Sequence, residues 1–220
     1  ARAADPASRS QEGPADQRTL GRVRTLLTQA ETTELPEKAE ALTSRAQELL
    51  ASRSMGEALL AAGQQPAAKN AACGRRLFVD SPYESAKAVL LDAVAAANQC
   101  RAVWHKDLGL STVLGIPCDL DAVELIFNSL QVQAATAMGH ADSRRGEAGS
   151  SRTRSFRQSF LTSYAQHMGE RLDEAAGAAQ RQAAAESSGS RLRPVLAARH
   201  RAVDDMLGRM FPELTEDHAA

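Results

Sequence analysis

The amino-acid sequence predicts an α+β fold that is mostly α, an N-terminal helical hairpin followed by a small antiparallel sheet packed by long helices. Three observations carry this. Apolar residues recur at spacings of three and four through most of the chain, the period of amphipathic helices. Two β-prone runs, Cys100 to Lys106 and Leu110 to Ile116, flank Asp107-Leu108-Gly109, where glycine suits the left-handed position of a three-residue hairpin loop. A third such run, Leu77-Phe78-Val79, stands alone before the next helical pattern.

Taken in order, residues 1–15 mix Pro, Gly, Ser and charge without periodicity, the composition of a disordered tail. From Asp16, a suitable N-cap, Leu20, Val23, Leu26, Leu27 and Ala30 form one apolar stripe. After a turn at Thr32 to Leu35, Pro36 opens a second helix with Ala39, Leu42, Ala46, Leu49 and Leu50 on one face. So short a connection implies antiparallel packing. Ser54 and Glu57 have capping-box spacing, predicting a separate short helix to about Ala62. Residues 16–62 thus read as a helical domain, and 63–74 as a linker.

Residues 75–212 read as an α+β domain with two C-terminal helices. Ser81-Pro82-Tyr83-Glu84 combines a Ser N-cap, Pro at the first helical position and a Glu able to cap back. Ala86, Val89, Leu90, Ala93, Val94 and Ala97 follow, with Asn98 as the stop. After the hairpin, Pro117 ends the second strand and Asp119 or Asp121 caps a helix carrying Val123, Ile126, Phe127, Leu130, Ala134, Ala137 and Met138. Two such helices around a hairpin belong on one face of its sheet. A polar loop, 141–151, precedes a long helix with Phe156, Phe160, Tyr164, Met168, Leu172, Ala175 and Ala179 in its stripe. A last helix is expected from Pro194 to Met210, stopped by Phe211-Pro212, with an acidic tail over 213–220.

Composition narrows the functional classes. A net charge of −1 gives no overall field for coating nucleic acid or anionic membrane, so an electrostatic partner must be met by a local patch. Aromatic residues at 4% leave few rings for a base-stacking platform. Three cysteines without CxxC spacing point to thiols in a reducing, cytoplasmic setting. No window of about 18 apolar residues is present, so no membrane partner is expected.

Motifs exclude more than they assign. In the helix after the hairpin, Val123-Glu124-Leu125-Ile126-Phe127 has apolar residues where HExxH needs its two zinc-binding histidines. No GxxxxGK[ST], GxGxxG or GxSxG element occurs. His167 with Glu170, and His200 with Asp204, have same-face helical spacing, but two ligands do not make a metal site. His105 lies beside Trp104 in the hairpin. No catalytic residue, metal ligand or cofactor is expected.

The one functional candidate is a cluster of arginines, Arg144, Arg145, Arg152, Arg154 and Arg157, around the polar loop and the start of the long helix. Arginines near a helix N-terminus suit phosphate or carboxylate recognition. Arg191, Arg193, Arg199, His200 and Arg201 would extend the patch if the last helix lay alongside. The excess of arginine over lysine and the abundance of alanine fit a compositional bias as well as a binding role.

The segment Leu20-Gly21-Arg22-Val23-Arg24-Thr25-Leu26-Leu27-Thr28-Gln29-Ala30-Glu31 is followed by Glu37-Lys38-Ala39-Glu40-Ala41-Leu42 and Ala46-Gln47-Glu48-Leu49-Leu50-Ala51. Together they resemble the bacterial and phage domain-of-unknown-function family numbered 2786, over about Leu20 to Met55. Phe78-Val79-Asp80-Ser81-Pro82-Tyr83 and Arg154-Ser155-Phe156-Arg157-Gln158-Ser159-Phe160 resemble the companion region that often follows that domain. The resemblance implies a bacterial or prophage setting and transfers no activity to any residue.

The expectation is therefore a non-enzymatic binding module that meets nucleic acid or an acidic protein through the arginine loop. Two alternatives stand beside it. One is an enzyme with a dispersed, metal-dependent site using His167 and Glu170. The other is a helical interaction protein that docks a partner on a stripe of its first two helices.

Overall fold

A computed structural model describes residues 13–63, 71–143, 150–185 and 189–213. The helices are α1 (Pro14–Thr32), α2 (Pro36–Gly63), α3 (Glu84–Ala97), α4 (Pro117–Ser143), α5 (Ser150–Ala183) and α6 (Gly189–Met210). The strands are β1 (Cys73–Phe78), β2 (Arg101–His105) and β3 (Leu110–Gly115). The chain is α+β, mostly α, with a small antiparallel sheet.

The expected hairpin is β2–β3, closed by a single 3-10 turn at Lys106–Leu108 and by Gly109 in the left-handed region, φ 60°. β1 joins on the other side of β3, giving the order β1-β3-β2 with both pairings antiparallel. β1 and β2 therefore run the same way, joined through α3, with β3 inserted between them in a split β–α–β arrangement. Being central, β3 is covered on both faces, and only Leu110 in it is more than slightly exposed.

On the core face, Val113 joins Leu90, Leu91 and Val94 of α3 and Val123, Ile126 and Phe127 of α4, so these two helices do share one face of the sheet. The same cluster takes in Leu20, Val23 and Leu27 of α1, Ala46 and Leu50 of α2, and Met168 and Leu172 of α5. Burying each such side chain contributes about 1.5–3 kcal/mol before ordering entropy is charged. α6 covers the opposite face over β2 and β3. Arg101 Nε lies 3.2 Å from Asp204 Oδ1, and the rings of His105 and Phe211 are 5.5 Å apart. It leaves the β1 edge of that face open, where Phe78 is 71% exposed.

Several boundaries differ from the sequence reading. α1 begins at Pro14 behind Gly13, which puts Asp16 in the first turn and not at the cap. α4 runs to Ser143 and α5 starts at Ser150, both inside the expected 141–151 loop. β2 stops at His105, so Lys106 joins the hairpin loop. The separate helix at Ser54 does not exist, because α2 runs through it. Ser54 is an interior residue whose backbone oxygen and hydroxyl accept from Arg199, so its side chain serves another helix. Ser81–Pro82 is a cis peptide, and α3 starts at Glu84 behind Tyr83 at φ 70°. The Ser81 to Glu84 contact survives, since the Glu84 carboxyl is lowered by its own N–H and by the Ser81 hydroxyl. Pro117 opens α4 instead of merely ending β3, which puts Asp119 in the first turn and Asp121 behind it, with neither as the cap. α6 begins at Gly189, five residues before Pro194. Pro194 thus lies inside the helix, beyond the first turn, and gives up the N–H that would have bonded the carbonyl four residues before it. β1 begins at Cys73, inside the expected linker, and ends at Phe78, short of Val79.

Candidate functional site

An open groove of about 700 Å³ lies between α1 and α2. α1 contributes Arg18, Gly21, Arg22, Thr25, Leu26 and Gln29, which recur at three and four and so occupy one helix face. α2 supplies Arg45 and Leu49 from the other wall. The geometry follows from the α1 stripe. Leu20, Val23, Leu27 and Ala30 enter the core, and Leu26, one step round the helix, stays half-buried beside Leu49. The result is an apolar floor between basic walls.

Among the described residues, no acidic side chain lines the groove. Arg45 is held by Glu48 one turn away. Among the described residues, Arg18 and Arg22 have no carboxylate partner. Their positions, i and i+4, put the Cβ atoms of two exposed arginines about 6 Å apart along the helix.

Of the five loop arginines, Arg144 and Arg145 lie outside the described residues, and Arg152 is placed in α5 without a described side chain. Arg154 is exposed, and Arg157 is half-buried with a partner of its own. The proposed extension onto the last helix is broken at Arg199, which is 6% exposed and turned inward to Ser54. Arg191 instead lines a separate cavity of about 230 Å³ with Leu59, Ala62 and Gly63.

Of the histidine pairs read from spacing, His167 meets a carboxylate of another helix, and the expected partner of His200 is taken by an arginine of β2. His167 Nε2 lies 3.1 Å from Glu40 Oε1 on α2, with Arg171 Nε at 4.0 Å from the same carboxylate. This bridge sits beside a cleft of about 60 Å³ that Tyr164 and His140 also line. That volume holds a water or two. Burial pushes the Tyr164 phenol up, with Glu40 adding to it. Asp204, the expected partner of His200, pairs with Arg101. His105 Nε2 shares a hydrogen bond of 2.9 Å with Thr112 Oγ1. Among the described residues, no three His, Cys, Asp or Glu side chains converge as a metal-binding group.

A buried polar network, which the sequence did not announce, joins α2, α4 and α6. Arg199 Nη1 donates to the Ser54 carbonyl at 3.1 Å and the Ser54 hydroxyl at 3.3 Å. The Ser54 hydroxyl in turn bonds the Asp119 carboxyl, and Cys118 Sγ donates to Asp119 Oδ1 at 3.5 Å. Burial raises the Asp119 carboxyl above its ordinary range, against the lowering influence of Ser54, Arg199 and Cys118. Burial likewise pushes the Cys118 and Cys100 thiols up, with Asp119 adding to both, so neither is poised as a thiolate nucleophile. The network has the character of a structural clamp.

No helix among the described residues is long and apolar enough to cross a membrane. No family model, curated protein or solved structure matches the chain.

Proposed function

We propose that the protein is a non-enzymatic binding module that takes an anionic partner in the groove between α1 and α2. The observation that carries this reading is the lining of the groove: three arginines over an apolar floor, two of them without a carboxylate partner and with no acidic wall among the described residues. Guanidinium groups are the side chains best matched to carboxylate and phosphate geometry. The segment resembling family 2786 contains most of this groove, so the proposed family membership and the proposed surface fall on the same helices. The rival reading places nucleic acid on the loop arginines of the sequence, of which Arg154 is exposed on α5.

The test is fluorescence anisotropy with labelled poly-glutamate and labelled single-stranded DNA. It compares the parent protein, Arg18→Ala/Arg22→Ala/Arg45→Ala, and a variant with all five loop arginines changed to Ala. Loss of at least tenfold in affinity in the groove variant, with the loop variant unchanged, is the expected result. The opposite pattern moves the function to the loop.

A further inference from the structure

We propose that the partner is an acidic amphipathic helix of another protein, seated along α1 and α2 as the third helix of the pair. This rests on the groove being the binding surface. Three features of the groove select a helix over other anions. Its length is the first. Arg18 to Gln29 covers three turns of α1, about 17 Å, which matches an approaching helix of about a dozen residues.

The floor is the second feature. Leu26 and Leu49 are packed on the core from one side and face the groove from the other. A nucleic-acid backbone has nothing apolar to lay on them, and no aromatic ring lines the groove for a base to stack upon. The apolar stripe of an amphipathic helix does cover such a floor. Gly21 adds to it. A Cβ built there meets nothing within 4 Å, so no neighbour within the chain requires glycine, and its bare surface permits close backbone approach.

The third is the placement of charge. Arg18 and Arg22 stand one turn apart on one wall, and Arg45 stands on the other. Carboxylates flanking the apolar stripe of a helix, on both sides and one turn apart, meet both walls together. A flexible polyanion satisfies the walls and leaves the floor wet.

The probe is a fluorescein-labelled helical peptide of about 14 residues, with leucines at spacings of three and four and glutamates on both flanks. It is compared with a scrambled peptide of identical composition and with duplex DNA. The amphipathic peptide is expected to bind at least tenfold more tightly than the scrambled one. Gly21→Leu, which fills an open position on the groove, is expected to weaken binding at least tenfold while circular dichroism and Tm show the fold intact. Arg18→Glu/Arg22→Glu abolishes binding. Equal affinity for the scrambled peptide or for DNA, still lost with the arginines, overturns the helical partner and leaves the anion-binding groove standing. No binding of any probe, or binding indifferent to the arginine substitutions, overturns both. Binding indifferent to Gly21→Leu seats the peptide elsewhere and overturns the inference.

Discussion

Asp119 and Cys118 sit at the first turn of α4, where Asp119 faces Ser54 and Arg199, and each is less than a tenth exposed. The raised Asp119 carboxyl has a definite sign in stability. Its folded-state pKa lies above the unfolded value, so its contribution is fully present below the unfolded pKa, about 3.9, and is lost as pH rises through the folded one. Asp119→Asn removes that dependence. The gap in Tm between parent and variant is expected to shift against the parent as pH rises from 4 towards neutrality, and a gap independent of pH contradicts the assignment. Gly115 is the second critical position. A Cβ there falls 2.3 Å from Cys100 Sγ, so Gly115→Ala should cost about 1–3 kcal/mol by urea unfolding. In a Cys100→Ala background most of that cost should vanish, because the two sites share one volume. The sequence marked Gly109 by its turn context. It gave no sign of Gly115, whose constraint comes from Cys100, just before the neighbouring strand.

At the scale of elements, local chemistry was legible and long-range chemistry was not. The hairpin turn, the stop at Asn98 and the α1 stripe all follow from residues close in sequence. One misread element, the expected helix at Ser54, has a key residue that answers to a distant partner. Ser54 has the spacing of a cap and is recruited by Arg199, 145 positions away. Gln47 breaks the apolar face of α2 and yet is fully buried. Its Nε2 donates to Asn98 Oδ1 at 3.1 Å and to the Ala97 carbonyl at 3.3 Å, pinning α2 to the end of α3. Thr43 and Gln133 make the equivalent bridge from α2 to α4, at 3.0 Å. Buried polar pairs of this kind fix register, and removing one partner strands the other. Gln47→Ala should therefore destabilise by about 2–4 kcal/mol, combining the lost volume with an unsatisfied Asn98. A change below about 0.5 kcal/mol contradicts that role.

For the whole molecule, one apolar cluster takes residues from α1, α2, α3, α4, α5 and the sheet. The helical hairpin is thereby a wall of the common core, and its outer side becomes the floor of the groove. The fold class was legible because helical and strand periods are properties of short windows. The groove was only half legible. The sequence offered a partner-docking stripe on the first two helices as one alternative, and it located the arginine cluster elsewhere, at 144–157. The pairing of α1 with α2 was legible from their short connection, and what the sequence lacked was the register that sets Arg45 and Leu49 opposite Arg18, Arg22 and Leu26. The most direct test of the binding surface is an NMR titration of the 15N-labelled protein with poly-glutamate at low salt. The groove reading predicts amide shifts centred on Arg18, Gly21, Arg22, Thr25 and Gln29, saturating together. Shifts confined to the start of α5, with α1 unmoved, contradict it.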